Sequence, residues 1–312
     1  MKKKSLNKPG MKNNGNSFLL MVTVLLFIVM YAAGMVIFAD KGFAKPQMFL
    51  NLFISNAGLL VIAMGQTIVM ITGGIDISVG SVTALVCMLC AYDMEKKGMS
   101  AYMAVAIALL IGLLFGIVQG FLVSYLEIQP FIVSLAGMFF GRGMTSIIST
   151  DMISIKNKTF LAWANYKIYL PIGSYSRRGK FIPAYIYPTV IIAILIFIVV
   201  LDGLLAGCGG FLFCLNSCSG FVEQAKGLEM DAISASVIGG TLLSGGVGTP
   251  FGTVFGVLIK GTISSLITTQ GTLSSWWVRI ALSALLCFFI VLRALSCMTS
   301  VTCRCLFVFF LK

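Results

Sequence analysis

Histidine is absent from the 312-residue chain, and this absence removes several kinds of chemistry at once. Without an imidazole there is no histidine general base, no histidine metal ligand and no Ser-His triad. Most hydrolase mechanisms are therefore excluded, and we expect no catalytic residue and no metal site.

Charged side chains are also scarce. They make up 10% of the chain, against about 25% in an average soluble domain, while 59% of the residues are apolar and the mean hydropathy is +1.02. So few charges cannot coat a soluble surface, and apolar runs of about 18 residues or more recur from Ser17 onward. The sequence indicates an integral membrane protein whose partner is the lipid bilayer. The net charge of +12 therefore does not indicate a nucleic acid partner.

The nine cysteines do not indicate a disulfide framework, because most of them lie within apolar segments. Cys87 and Cys90 have C-x-x-C spacing, but no second pair stands at the spacing of a metal site. We interpret these thiols as small core side chains rather than as redox groups.

The apolar segments predict an all-α fold, a polytopic membrane helix bundle with broken or re-entrant helices and about 8 to 10 membrane segments. Residues 1–16 form a lysine-rich N-terminus expected in the cytoplasm, residues 17–293 a single transmembrane domain, and residues 294–312 an atypical apolar, cysteine-rich tail. The predicted segments are Ser17–Ala39, two within Phe49–Tyr92, Ala101–Tyr125, Phe131–Ser149, Ala184–Leu201, Leu204–Cys218, a short stretch ending at Gly240, Phe251–Leu266 and Trp276–Leu292.

The longest polar stretch, Thr150–Lys180, carries six basic residues against Asp151. Counting spans from a cytoplasmic N-terminus places it outside the cell, whereas the positive-inside rule favours the cytoplasm. We expect an external basic surface that attracts an acidic partner.

Two glycine-rich segments interrupt the apolar pattern and have the same residue pattern, Gly-Gly-x-x-x-Ser-x-Gly, which begins at Gly73 and again at Gly239. Transporters built from internal repeats place such unwound elements near the bilayer midplane, where free backbone groups face a water-filled path; close helix contact is the alternative explanation. The candidate residues of the substrate path are Gly73, Gly74, Asp76, Ser78 and Gly80 in the first interruption and Gly239, Gly240, Ser244 and Gly246 in the second.

Asp76 is the most informative single residue, because a carboxylate between Ile75 and Ile77 in an apolar region is costly in lipid. Two interpretations stay open: the carboxylate caps the helix that begins near Ser78, or it takes a direct part in the substrate path. Three other charges within apolar segments are interpreted as side chains that reach to the membrane interface: Arg142, Lys260 and Arg279.

These motifs together resemble the ribose-permease-like transmembrane subunits of bacterial ABC sugar importers. The resemblance covers about residues 17 to 293, and other stretches most resemble a galactofuranose importer permease. The motifs that carry it are Gly65–Thr67 with Thr72–Ser81, Gln129–Val133 with Gly141–Gly143, and Glu229–Ile233 with Val237–Thr241; the galactofuranose likeness rests on Gly137–Phe140, Gly240–Thr249 and Gly271–Trp277.

The resemblance implies a non-enzymatic subunit of the bacterial inner (plasma) membrane with no cofactor of its own. It implies three partners: a second related permease as homo- or heterodimer, a cytoplasmic ABC ATPase, and a periplasmic or extracellular sugar-binding protein. The chain contains no G-x-x-x-x-G-K-[ST] phosphate loop, which agrees with a separate ATPase.

The chain departs from the resembled family at Leu201, Asp202 and Gly203. Family members carry a cytoplasmic loop there, with a short helix that docks on the ATPase, and here the two apolar segments follow each other directly. We expect a tight turn with Gly203 as its flexible point and Asp202 as a helix cap, and a defect in coupling.

Two rival functions remain at this point. A stand-alone secondary transporter with broken helices would couple through intramembrane ionisable residues, and Asp76 is nearly the only one in the apolar core. An intramembrane enzyme would need a nucleophile with a base or paired acids, which the apolar segments do not offer.

Overall fold

The computed structural model describes residues 14–175, 181–198, 202–272, 274 and 276–298. The expected tail, apart from the end of the last helix, lies outside these residues, as does the first part of the N-terminus. The helices are α1 (Asn14–Ile37), α2 (Pro46–Ile71), α3 (Val79–Glu95), α4 (Ala101–Ser124), α5 (Pro130–Ile148), α6 (Lys158–Asn165), α7 (Pro188–Ile198), α8 (Asp202–Ser217), α9 (Leu228–Ile238), α10 (Pro250–Gln270) and α11 (Trp276–Met298).

Prolines and short polar side chains set several helix starts. Proline occupies the first turn of α2, α5 and α10, where its missing N–H costs no hydrogen bond. The Thr249 side chain accepts from the Gly252 N–H at the start of α10, and Ser100 accepts from the Met103 N–H at the start of α4.

The all-α bundle is confirmed, and within the described residues five helices are long and apolar enough to span a bilayer: α1, α2, α4, α5 and α10. The described parts of α3, α7, α8 and α9 are shorter, between 11 and 17 residues. Large apolar side chains are exposed along α1 and α4, among them Leu25 and Ile117. These faces suit lipid.

The centre of the bundle is α2, which contacts α7, α8, α9 and α10, and α3, which contacts α4, α5 and α8. Nearly every residue of α3 is buried, including Cys87 and Cys90. Cys214 of α8 lies beside these two thiols, and all three are free. This placement agrees with the interpretation of the C-x-x-C pair as core side chains.

Two small antiparallel sheets pack against the central helices, one on α3 and the other on α2. Strand β1 (Ile153–Ser154) pairs with β4 (Ser219–Gly220), and β2 (Ile168–Tyr175) pairs with β3 (Phe181–Ile186). The expected membrane segment from Ala184 is therefore wrong at its start, because Ala184 belongs to β3 and the helix begins only at Pro188. Antiparallel pairing with β2 makes these residues a strand, although their apolar composition predicted a membrane helix.

Candidate functional site

Between α2 and α3 the chain is unwound over residues 72–78, called here the first break. Thr72 ends α2 in a helical conformation, and Gly73 follows with φ +87°, in the left-handed region that favours glycine. The N–H groups of Gly73 and Gly74 donate back to the carbonyls of Met70 (3.0 Å) and Val69 (3.1 Å). The chain thus leaves the helix with its last carbonyls partly satisfied.

Backbone groups of Ile75 and Asp76 in the first break are bound by side chains of two other elements, α2 and α5. With its amide oriented to suit its surroundings, Gln66 of α2 donates to the Asp76 carbonyl (2.9 Å) and accepts from the Asp76 N–H (3.3 Å). Ser134 of α5 donates to the Ile75 carbonyl at 3.1 Å. Unwound backbone persists at membrane depth only where protein or water satisfies it, and here side chains do so.

The Asp76 carboxylate holds the start of α3. Its Oδ1 accepts from the Ser78 N–H at 2.7 Å and from the Ser78 hydroxyl at 2.6 Å. Gln119 of α4 donates to the same Ser78 hydroxyl at 2.9 Å. Ser78 is the N-cap residue of α3, so the carboxylate fixes the residue before the helix and does not accept from an N–H group of its first turn. Because Asp76 also lines a cavity, both interpretations stay open.

A cavity of about 320 Å³ lies between the first break and helices α2 to α5. Gly112, Gly116 and Gly120, spaced four apart on α4, form one wall, and Phe115 supplies an aromatic surface. The polar lining includes Gln66, Asp76, Ser78, Gln119, Ser124 and Ser134. Such a small set of amide, hydroxyl and carboxylate groups beside apolar walls suits a neutral ligand with several hydroxyls.

Residues 239–249, between α9 and α10, form the second break. Gly239 ends α9 with the dihedral angles and backbone bonding of Thr72, and Gly240 follows with φ +98°, as Gly73 follows Thr72. Thr72 and Gly239 are therefore equivalent in the structure, which is one residue different from the alignment that the sequence pattern predicts. The sequence pattern aligns Gly73 with Gly239 because both are glycine. In the structure Gly73 corresponds to Gly240, because both have positive φ.

The two breaks lie against each other. The Gly246 N–H donates to the Ile71 carbonyl at 2.8 Å, and a Cβ on Gly245 would meet the Gly73 backbone at 2.7 Å. Gly246 also has positive φ. The structure thus brings the two predicted interruptions together at one end of α2.

Of the nine predicted residues, only Gly74, Asp76 and Ser78 line the cavity, whereas Gly73, Gly80 and all four residues of the second break lie apart from it. Ser244 is exposed and Gly80 is buried, and neither lines it. Gly80 instead packs under the carboxylate of Glu229 at the start of α9.

Sequence reasoning missed Gln66, Gln119 and Ser134 as candidates. Gln66 stands in a motif of the resembled family and Gln119 is a lone amide in an apolar run, so both carried a signal. Ser134 carried none.

Two charged residues that the sequence analysis interpreted as reaching to the membrane interface instead have partners within the protein. Arg142 donates to the carbonyls of Val222 (2.9 Å) and Gln224 (3.0 Å), and Lys260 forms an ion pair with Asp231 at 2.9 Å. Polar groups inside the bundle are less costly when paired, which explains why neither turns to the interface. Arg279 lies over the Trp276 ring, 5.2 Å from its centroid.

The predicted junction is described in part. Asp202 and Gly203 are the first residues of α8, so Gly203 is helical and not the flexible point of a turn. Leu201 lies outside the described residues. Both α7 and α8 pack on α2.

Comparisons with known proteins give a consistent result. Residues 48–201 and 187–291 match the family described as "Branched-chain amino acid transport system / permease component". The inner membrane ABC transporter permease protein YjfF of Escherichia coli is 36% identical over 303 aligned positions, covering 88% of this chain and 91% of the relative. The fructose import permease protein FruG of Bifidobacterium longum is 27% identical (92% and 93%), and the ribose import permease protein RbsC of Bacillus subtilis is 34% identical over 263 positions (75% and 81%). No solved structure matches the chain.

Proposed function

This chain belongs to the family of transport-system permease components, the membrane subunits of ABC importers, and on this premise we propose that it moves a monosaccharide inward across the bacterial inner membrane. The observation that carries the proposal is the cavity at the first break, where Asp76, Ser78 and Gln119 offer both donors and acceptors beside the aromatic ring of Phe115. Relatives named as ribose and fructose import permeases support a sugar.

We assign the substrate to the pentose or galactofuranose class, on the sequence likeness to a galactofuranose importer permease. The N-terminus lies in the cytoplasm in this proposal. Three partners complete the transporter: a second permease subunit, a cytoplasmic ABC ATPase, and an external sugar-binding protein.

We further propose that this chain lacks the segment through which the ATPase acts on a permease. The alignment with the Escherichia coli relative runs over 303 positions but takes in 88% of this chain, about 275 of its residues, which leaves roughly 28 positions without a counterpart here. The Bacillus subtilis relative leaves roughly 29 in the same way, from 263 positions and 75% of the chain. The two family matches meet and overlap at residues 187–201, which supports a loss at the end of α7.

The physical consequence of the loss concerns coupling. A partner shifts a conformational equilibrium only by the difference between its interaction energies with the two states. A permease without the docking segment gives the ATPase little such difference. We therefore expect this chain to insert and to pair with a second permease, but to stimulate no sugar-dependent ATP hydrolysis.

The experiment compares three chains in proteoliposomes with the ATPase and binding protein of a full-length relative. The chains are the unmodified protein, a variant with a relative's docking loop inserted between Leu201 and Asp202, and a control with a Gly/Ser linker of equal length at that place. We expect ATP-driven monosaccharide uptake only with the docking loop.

Two outcomes would contradict the proposal. Sugar-stimulated hydrolysis by the unmodified chain at the level of a full-length relative would refute the loss of coupling. Uptake driven by a proton or sodium gradient without any ATPase would instead favour the stand-alone secondary transporter.

A further inference from the structure

A second polar surface, away from the cavity, follows α8. Residues 218–230, called here the descending segment, comprise β4, a series of turns and the first residues of α9. Cys218 and Ala225 adopt φ +49° and +59°, which is uncommon outside glycine, so neighbouring groups hold this backbone in place.

Contacts with α3 measure how deep the descending segment goes. Gly220 lies against Cys87, Met88 and Ala91, whereas Ala225 and Glu229 lie against Gly80. The segment therefore runs along α3 from just past its middle to its first turn.

The end of α3 marks one face of the bundle, since the Glu95 carboxylate accepts there from the backbone N–H groups of Lys156 and Asn157. At 1.5 Å per residue, Gly80 lies about 22 Å along α3 from Glu95, well inside a hydrocarbon core of about 30 Å.

The outer face of the descending segment is polar and open. Glu223 and Lys226 form an ion pair at 2.6 Å, with 53% and 70% of their side chains exposed, and Met230 in the first turn of α9 is also exposed. Arg142 of α5 binds the backbone of the same segment through the Val222 and Gln224 carbonyls.

Lipid is a poor neighbour for this face. Irregular backbone occurs at membrane depth only where it is buried in protein or lines a water-filled space, and exposed charges there are costly. The lipid-suited face of α4 differs from this polar face. Ile117 lies about 24 Å along α4 from its first residue and is as exposed as Met230, but the exposed residues near it are apolar.

We infer that the face formed by Glu223, Lys226 and Met230 lines a water-filled substrate path, closed on its other side by a second permease subunit. The inference rests on the proposed function for the nature of the path. The paired carboxylate and ammonium supply acceptors and donors for the hydroxyls of a neutral sugar.

Thiol accessibility tests this inference. Glu223→Cys, Met230→Cys and the control Ile117→Cys are made in a cysteine-free background, and membranes are treated with a charged, water-soluble thiol reagent. Because the reactive species is the thiolate, which forms in water and not in lipid, we expect labelling of the first two to be at least about tenfold faster than at Ile117. Equal or slower labelling at Glu223 and Met230 would overturn the inference.

A second pair of variants keeps the native cysteines. The fluorescence that Met230→Trp adds to the parent protein should be quenched by iodide in water, and the fluorescence that Ile117→Trp adds should be quenched by brominated lipid. Quenching of the Met230→Trp signal by brominated lipid instead would refute a water-filled path. Neither measurement depends on sugar or ATP, so each is decided even where transport fails.

Discussion

The carboxylate of Asp76 accepts two hydrogen bonds from one residue, Ser78, and so fixes the residue that directly precedes α3. An asparagine at this position keeps an acceptor of the same shape without the charge, whereas alanine removes both. The pair of substitutions therefore separates the two interpretations that the structure leaves open.

We expect Asp76→Ala to insert but to lose about 1 kcal/mol of stability, the usual net contribution of a hydrogen bond, and Asp76→Asn to keep most of it. Thermal unfolding of the purified variants measures this difference. In the chain with a restored docking loop, transport by Asp76→Asn reports whether the charge acts in the path. Unchanged stability and transport in Asp76→Leu would show that the residue has neither role.

At the residue scale, the sequence predicts those site residues that differ in type from the residues next to them in the chain. Asp76 and Gly73 stand out because a carboxylate and paired glycines interrupt an apolar run. The bonds from Ser134 and Gly246 into the first break depend on tertiary contacts between distant segments, which local pattern does not contain. The partner of Lys260 is likewise set by how α9 crosses α10.

At the scale of elements, α2, α9 and α10 meet through small residues and hydroxyls. A Cβ on Gly256 of α10 would collide with the Ala235 carbonyl of α9, so the two backbones are in direct contact. Thr67, Ser236 and Thr253 are fully buried at the same crossing, where the Thr67 hydroxyl bonds to the other two at 3.0 and 2.6 Å.

Gly256→Ala should force α9 and α10 apart, because the obstructing atoms are backbone and cannot rotate away. Overpacking of this kind costs about 1–3 kcal/mol. The matched control is Gly143→Ala in α5, where the added methyl meets nothing within 4 Å. Thermal unfolding of both variants in one detergent makes the comparison, and equal stabilities would contradict the close approach.

Thr253→Val removes a hydroxyl that joins α10 to Thr67 of α2, and we expect a loss of about 1 kcal/mol. Thr262→Val is its control, since the equally buried Thr262 hydroxyl bonds only to Leu258 in its own helix. If the control loses as much stability as Thr253→Val in the same unfolding assay, the interhelical bonds contribute nothing.

The positions of the breaks could be predicted at this scale, but their register and the hairpin could not. Glycines recur near both helix ends, yet only the dihedral angles show that Thr72 corresponds to Gly239. Ala184 reads as the start of a membrane helix because β3 is apolar, and its pairing with β2 decides otherwise.

For the whole molecule, the side of the membrane on which α6 and the β2–β3 hairpin lie is a prediction from span counting. Ser174, in β2, is a suitable probe because it lies near the hairpin turn. In a cysteine-free background, Ser174→Cys should react with an impermeant thiol reagent in intact cells. Reaction only after permeabilisation would reverse the proposed topology.

An external hairpin also has a kinetic signature. The basic residues around it, among them Lys158 and Lys167, would attract an acidic binding protein, and complementary charge acts mainly on the association rate. We expect that rate to fall as salt is raised from about 0.01 M to 0.15 M, over which the screening length shortens from about 30 to 8 Å. Stopped-flow association with the binding protein measures it, and a salt-independent rate would exclude steering by this surface.

The contact between the two breaks also governs how the protein is made. The ribosome synthesises residues 72–78 long before residues 239–249. In the nascent chain the Ile71 carbonyl therefore lacks the hydrogen bond that the Gly246 N–H later donates to it. Such long-range closure comes late in synthesis and leaves an intermediate open to quality control. A chain stopped after residue 238 should therefore be cleared rapidly by membrane proteases in a pulse-chase experiment, and one stopped after residue 272 should persist.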